Sequence, residues 1–537
     1  MHKDGHSLEG RPALPFGRVL IANRGEIAVR IIRACRELGL ETVAVYSDAD
    51  AGATHVRLAD AAVRLGPPPA AESYLRIDGV LEAAAATGAD AIHPGYGFLA
   101  ERAEFARRAR EAGLVFVGPD ADAIEALGDK LHARRLAREA GVPIVPGTLD
   151  PAAIDRPDQV DAVVHDAEAV GFPLLVKAAA GGGGRGMRRV QRAKDLPNAL
   201  LEGSREASAA FGDGRVYLER EIRPARHVEV QLLGDVGGRV VAVGERDCSL
   251  QRRHQKLVEE APAPGLSETD RRSLHAMAVS VASAAHLTNA ATAEFLREPD
   301  GQVRFLEVNT RLQVEHGVSE LVAGIDIVRE QFLLAAGAPL SEAVLRAASL
   351  AATPTSHAIE VRIAAEDPGT SFAPTPGEIR HWSMPSGPGI RIDTAVDAGD
   401  RVPPEYDNLI AKLMVHAVDR TTAIARLVRA LDEAEIAGIQ TTLPFHRFVA
   451  RAASFAAGEL STDWVTEHWD GAGEAERAQR LARIAAALAS ADGPVLAQRH
   501  RPAGTRASRR DPPEVDGAPG SGWSVAALEA AVDRWPA

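Results

Sequence analysis

Cysteine is close to absent: the 537 residues contain only Cys35 and Cys248. Two thiols build neither a disulfide framework nor a CxxC-type metal site, and such usage fits a reducing, cytoplasmic compartment. Long hydrophobic runs are missing too. No stretch approaches the roughly 18 apolar residues that a membrane-spanning helix needs, and the opening MHKDGHSLEGRPALPFG has no apolar segment of the kind a secretory leader carries. No membrane association is expected. Nor is there an excess of positive charge: Lys and Arg total 61 against 74 Asp and Glu, a formal net charge of -13. That balance argues against nucleic acid as a partner and requires any anionic ligand to be held by a local patch.

Two common nucleotide signatures are also absent. The first strand-to-helix turn, ANRGEI, is not a GxGxxG dinucleotide fingerprint, and the glycine run Gly181 to Gly184 is not followed by the GK[ST] of a P-loop.

What is present is a globular composition, 46% hydrophobic and 25% charged, with much of the apolar share carried by Ala. At about 150 residues per domain, the length implies three or four lobes. RVLIAN reads as a strand, after which Ile27, Ile31, Cys35 and Leu38 recur at helical spacing until Gly39. ETVAVYS, ADAIHPG and LVFVGP read as further strands separated by helical segments, which predicts a parallel, doubly wound α/β unit over about 18–125. A small separate lobe follows over about 130–215. From 216 onward, VYLEREI, HVEVQLLGD, VVAVGER, ATAEFL and VRFLEVNTRLQVEH predict an antiparallel sheet. After about 470, a helix rich in Ala and Arg leads into RHRPAGTRASRRDPPEVDGAPGSG, read as a linker or a disordered segment, and WSVAALEAAVDRW, read as a short docking helix.

Three segments carry chemistry. Lys177 ends a strand that runs into Gly181–Gly184, Arg185 and Gly186; glycines let backbone N–H groups approach phosphate oxygens, and a lysine adds a point charge. Lys130, in GDK, is a second candidate for the same phosphates. In RFLEVNTRLQVEH, reading by twos puts Glu307, Asn309, Arg311, Gln313 and Glu315 on one face and Leu306, Val308, Leu312 and Val314 on the other. A hairpin turning at Pro299, Asp300 and Gly301 sets Glu294 diagonally across from Glu307. With Asn309 these carboxylates form an oxygen-only set suited to Mg²⁺ or Mn²⁺ bridging nucleotide phosphates. In RDCSLQRRHQKLVEEAPAP, His254 and Lys256 are placed to hold anionic oxygens, while at least half of the charges in RDCSLQRRHQK read as solvated.

LIANRGEIAVRIIRACRELG, HPGYGFLAE, FVGP, GDK, KAAAGGGGRGMR, RHVEVQ, ERDCSLQRRHQKLVEEAPAP, FLEVNTRLQVEH and HAIEVRIAAEDP occur in that order. Together they resemble the biotin carboxylase component of the acetyl-CoA and propionyl-CoA carboxylases, a branch of the ATP-grasp ligases, from about 17 to 465. The resemblance implies a mixed α/β and α+β fold. Its parts are an N-terminal doubly wound parallel domain (17–130), an ATP-grasp lid (131–215), an ATP-grasp core (216–350), a C-terminal domain in antiparallel sheet (351–465) and a tail (470–537).

It further implies ATP-dependent activation of bicarbonate to carboxyphosphate, followed by carboxylation of a biotin ureido nitrogen. Lys130, Lys177, Gly183, Gly184, His227 and His254 align with ATP contacts, Glu219, Arg220, Glu221 and Ile222 with the hinge at adenine, and Glu294, Glu307 and Asn309 with metal ligands. Glu315 corresponds to the base that deprotonates bicarbonate, while Arg311, Gln313, Val314 and Lys256 position it. Arg362 corresponds to the group that stabilises the biotin enolate oxygen, and Tyr96 and Glu101 line the biotin pocket. A homodimer is expected. No Met-Lys-Met sequence is present to accept biotin, so a separate biotin carboxyl carrier protein and a carboxyltransferase subunit are expected partners, with the tail as a docking element. Departures are Gly317 where the family often has Pro, expected to loosen the loop after Glu315, EYDN at 405–408, and Arg220 in place of Lys. The alternatives are another ATP-grasp ligase, against which HPGYGFLAE and Arg362 argue, and a silent ATP- or carrier-binding scaffold. The scaffold reading predicts losses among Lys256, Arg311, Glu315 and Arg362, and all four are present.

Overall fold

The computed structural model describes residues 14–154, 157–179 and 187–491. Three sheets organise it. The first contains five parallel strands in the order Ala61–Gly66, Glu41–Ser47, Arg18–Ile21, Ala91–His93 and Val115–Phe116. The helix Gly25–Leu38 buries Ile27, Ile31, Cys35 and Leu38 against it and stops where Gly39 takes a φ of 77°. A side chain would resist that left-handed turn. This is the parallel α/β unit the spacing predicts.

The second sheet is small, ordered Ala152–Ala153, Arg215–Arg220, Leu174–Ala178 and Arg188–Val190, with every pairing antiparallel. Leu174, Val176, Leu196, Leu200, Val216 and Leu218 form its own core. Gly183 and Gly184 lie outside the described residues.

The third sheet carries the site. Eight antiparallel strands run in the order Val303–Asn309, Asn289–Arg297, Arg226–Gly234, Val240–Arg252, Gln255–Ala261, His357–Ala364, Leu409–Ala417 and Ile390–Thr394. The sheet is unbroken: Gln255–Ala261 pairs directly with His357–Ala364, so strands from both sides of residue 350 share one hydrogen-bonded surface. Two features differ from expectation. The alternating strand read through Glu315 ends at Asn309, and Glu315 instead precedes the helix His316–Ala323. Gly317 lies buried in the first turn of that helix rather than in a loosened loop. A Cβ there would come within 2.2 Å of Met414 Sδ, so any larger residue at 317 requires the Met414 side chain to move.

The helix Gly471–Ala491 begins against Pro368 and Gly369, with Trp469 Nε1 donating to the Pro368 carbonyl at 3.1 Å. WSVAALEAAVDRW lies outside the described residues. No helix among the described residues is long and apolar enough to cross a membrane.

Candidate active site

Four neighbouring strands line up a row of charge. Glu307 stands directly opposite Glu294, Glu294 opposite Glu229, and Glu229 opposite Arg246. The first pairing corrects the diagonal register expected for Glu294 and Glu307: a register shift between Glu294 and Phe295 draws the two carboxylates level. Like charges directly opposite destabilise a sheet, and burial sharpens the repulsion. A basic side chain answers each one. Lys130 Nζ lies 2.5 Å from Glu307 Oε2, His227 Nε2 3.0 Å from Glu294 Oε2, and the fully buried Arg246 2.6 Å from Glu229 Oε1.

Lys256 is the hub. Its ammonium donates to Glu229 Oε2 at 2.5 Å, Glu294 Oε1 at 3.0 Å and Glu315 Oε1 at 2.6 Å. Burial works against its charge, but the three carboxylates outweigh that and hold its pKa well above the usual lysine range. Arg362 binds the other oxygen of Glu315 at 2.9 Å and Glu259 Oε1 at 2.6 Å. Burial alone would raise the Glu315 carboxyl; Lys256, Arg362 and Arg246 reverse this and hold it well below the ordinary range. It is ionised at any neutral pH.

Although the strand stops, the residues after it return to the same place. Arg311 donates to Gln313 Oε1 at 2.9 Å and lies 3.1 Å from Glu101 Oε2, and Asn309 Nδ2 donates to Glu294 Oε1 at 2.8 Å. The Val314 carbonyl accepts from the fully buried Lys412 at 2.9 Å, and Lys412 also lies 3.1 Å from Glu26. Tyr96 donates to the same Glu26 carboxylate. Glu294, Glu307 and Asn309 offer only oxygens for a metal, from two directly paired strands, a donor chemistry that fits Mg²⁺ or Mn²⁺.

Within the small sheet, Lys177 pairs with Glu219 on the neighbouring strand, and Glu219 also takes Arg134 at 2.7 Å. Arg220 and Glu221 turn to Glu298 and Arg189, and Ile222 is buried. His254 and Arg253 form the two-residue tip of the hairpin from Arg252 to Gln255, at φ of 66° and 50°. Such tips favour Asn-Gly, and two bulky residues held left-handed store strain. Burial and the neighbouring charges of Lys177, His227 and Lys130 push the His254 pKa down. His254, Lys177, His227 and Lys130 therefore lie close enough to feel one another's charge.

Several charged residues in the site had not been singled out: Glu229, Arg246, Glu259, Glu360 and Lys412. Glu229, Glu360 and Lys412 each stand singly between apolar neighbours in a strand, whereas Arg246 and Glu259 lie in the charged runs GERD and VEEA that read as a solvated face. A usable signal was the single acid or lysine flanked on both sides by apolar residues, as in HVEVQ, AIEVR and IAKLM.

Residues 15–124 match the family described as biotin carboxylase, N-terminal domain; residues 129–343, the ATP-binding domain of the carbamoyl-phosphate synthase L chain; and residues 360–467, the biotin carboxylase C-terminal domain. Biotin carboxylase from Pseudomonas aeruginosa is 47% identical over 452 residues, 83% of this chain and 97% of that one. The biotin-dependent acyl-coenzyme A carboxylase alpha3 subunit of Mycobacterium leprae is 46% identical, over 85% of this chain and 75% of that one. Among solved structures, the biotin carboxylase domain dimer of Hydrogenobacter thermophilus 2-oxoglutarate carboxylase, bound to MgADP, ADP and bicarbonate, superposes with a TM-score of 0.80 at 41% identity, covering 85% of this chain and 98% of that one. At this identity over nearly the full length of the P. aeruginosa enzyme, the chain belongs to the biotin carboxylase family.

Proposed function

We propose that this protein is an ATP-dependent biotin carboxylase, which activates bicarbonate with ATP and carboxylates biotin presented by a carrier protein. The observation that carries the reading is the convergence of Lys256 and Arg362 on the two oxygens of Glu315. A bicarbonate entering here competes with Glu315 for both cations. As the anion takes them over, Glu315 loses the contacts that depress its pKa and recovers the basicity needed to accept the bicarbonate proton.

Arg311, with Gln313 and the Val314 segment, holds the anion's remaining oxygens. Arg362, a permanently charged planar donor set, faces the oxyanion that develops on biotin, and Tyr96 and Glu101 line the approach. Lys130, Lys177, His227, His254 and the Gly183–Gly184 backbone hold the nucleotide with the hinge Glu219–Ile222. Glu294, Glu307 and Asn309 hold the divalent cation, which supplies charge neutralisation to the phosphates. Biotin arrives from outside these 537 residues, which contain no Met-Lys-Met sequence, and a carboxyltransferase consumes the product. The protein works as a homodimer, as the H. thermophilus domain does.

The test is ADP release with ATP, Mg²⁺ and bicarbonate, with and without biotin. Biotin-stimulated turnover is expected, falling by at least about tenfold in both Arg362→Ala and Glu315→Gln. Turnover indifferent to both free biotin and a biotinylated carrier would refute the reading in favour of another ATP-grasp ligase.

A further inference from the structure

Two buried carboxylates beside Arg362 have no part in the roles assigned above. Glu259 and Glu360 are direct partners across the adjacent strands Gln255–Ala261 and His357–Ala364, and both are fully excluded from solvent. Direct partners bring their Cβ atoms to about 4.5–5.5 Å. Glu259 Oε1 accepts from Arg362 Nε at 2.6 Å and lies 2.5 Å from Nη2, whereas its Oε2 has no hydrogen-bond partner. Glu360 bonds through neither oxygen. Three carboxylate oxygens are therefore unsatisfied in one buried place beside a guanidinium.

The charged groups facing Glu360 are already engaged. Arg362, on its own strand, is shared by Glu259 and Glu315. Lys412, on Leu409–Ala417, serves the Val314 carbonyl and Glu26, with Asp393 at 3.7 Å. His316, on the overlying helix, turns Nδ1 to the Gln313 carbonyl. That helix also closes the roof, since a Cβ on Gly317 would stand 3.4 Å from Glu360 Oε2. Two ionised carboxylates side by side here would repel in a low dielectric with no cation between them. One proton resolves both problems, because a neutral carboxyl gains an O–H donor.

We propose that Glu259 and Glu360 share a single proton and together position Arg362, with Glu360 donating to Glu259 Oε2 so that Glu259 Oε1 remains an ionised anchor for the guanidinium. The inference rests on the biotin carboxylase reading only for what Arg362 does once positioned. Burial pushes the Glu360 carboxyl well up, and pushes Glu259 up to about 7 against the pull of Arg362. Stripping the proton at high pH adds a second anion to the pair, which draws Arg362 toward the sheet and repels Glu315. Biotin-dependent turnover then falls.

Infrared spectra of the full chain and of Glu360→Gln, recorded across a pH titration, test the shared proton directly. The native-minus-variant difference is expected to contain a protonated-carboxyl band that persists above the ordinary glutamate value of 4.5. In steady state, Glu360→Gln, which imitates the neutral acid, is expected to move the alkaline fall of biotin-dependent kcat to higher pH, at a loss of under about threefold on the plateau. Glu259→Gln should lower that kcat by at least about thirtyfold while KM for ATP changes by less than about twofold. An absent infrared band, an unmoved alkaline limb, or equal losses in kcat from the two substitutions would each overturn the proposal. Biotin-independent turnover of the native chain would defeat the functional reading instead, and the infrared difference would still decide whether the proton is shared.

Discussion

Buried ionisable side chains near Arg362 divide into two classes with opposite effects on stability. Lys256 and its neighbours hold Glu315 below its ordinary pKa, so its contribution is present above about 4.5 and is lost as pH falls through the depressed value. Glu259, raised from 4.5 to about 7, does the reverse. Between those values the folded state binds more protons than the unfolded one, so stability falls as pH rises. Glu360, also raised by burial, holds with Glu259 the one proton that the pair shares, so the two count as a single such contribution. Buried His55 and His446, pushed down to about 4, and His93, to about 3, oppose it below 6.5, so the effect of Glu360 is best read as a difference. Calorimetric melting temperatures from pH 5 to 8 should decline less steeply in Glu360→Gln than in the native chain. Lys412 offers a second check: Lys412→Met removes the donor to the Val314 carbonyl and leaves Glu26 buried without its cation, while Asp393 keeps Arg391 at 2.8 Å. A loss of about 3–5 kcal/mol in denaturant melts is expected.

Among the elements, the helix His316–Ala323 sets the most exacting requirement, because its first turn passes directly over Met414. Gly317→Ala should cost about 1–3 kcal/mol through overpacking, and combining it with Met414→Ala should recover part of the loss, a coupling that a double-mutant cycle in urea would measure. This contact explains why the alternation in RFLEVNTRLQVEH reveals the site but not its shape. The period of two correctly marks Glu307 and Asn309 as one face of a strand. Nothing in that period tells that the backbone leaves the strand at Thr310 and that Arg311, Gln313 and Glu315 rejoin the face from a turn. Helix Gly25–Leu38 and the parallel strands around it were legible because their apolar spacing and the glycine stop are local signals. Glu259 carries no such signal, and for Glu360 and Lys412 the apolar flanks mark burial without revealing the helix, distant in sequence, that covers them.

For the whole molecule, the eight-stranded sheet is the frame against which the small four-stranded sheet stands as an appendage with its own core. The helix Gly471–Ala491 contributes less: Leu481 and Ile484 are exposed, and its packing is concentrated at its start against Pro368 and Gly369. Truncation after Asp470 is expected to lower stability by no more than about 2 kcal/mol and to leave turnover with free biotin within about twofold, measured by urea melts and ADP release. A carrier pull-down comparing the two forms would then assign the tail its docking role or remove it.

The pairing of Gln255–Ala261 with His357–Ala364 has a bearing on descent as well as on chemistry. The family's ATP-binding and C-terminal segments meet between 343 and 360 in sequence, yet that junction is no seam in the folded molecule. A recombinant exchanging only one of these segments with a relative would have to re-form a ladder of hydrogen bonds, with Glu259 facing Glu360, from strands of different parentage. The two segments are therefore expected to be inherited together.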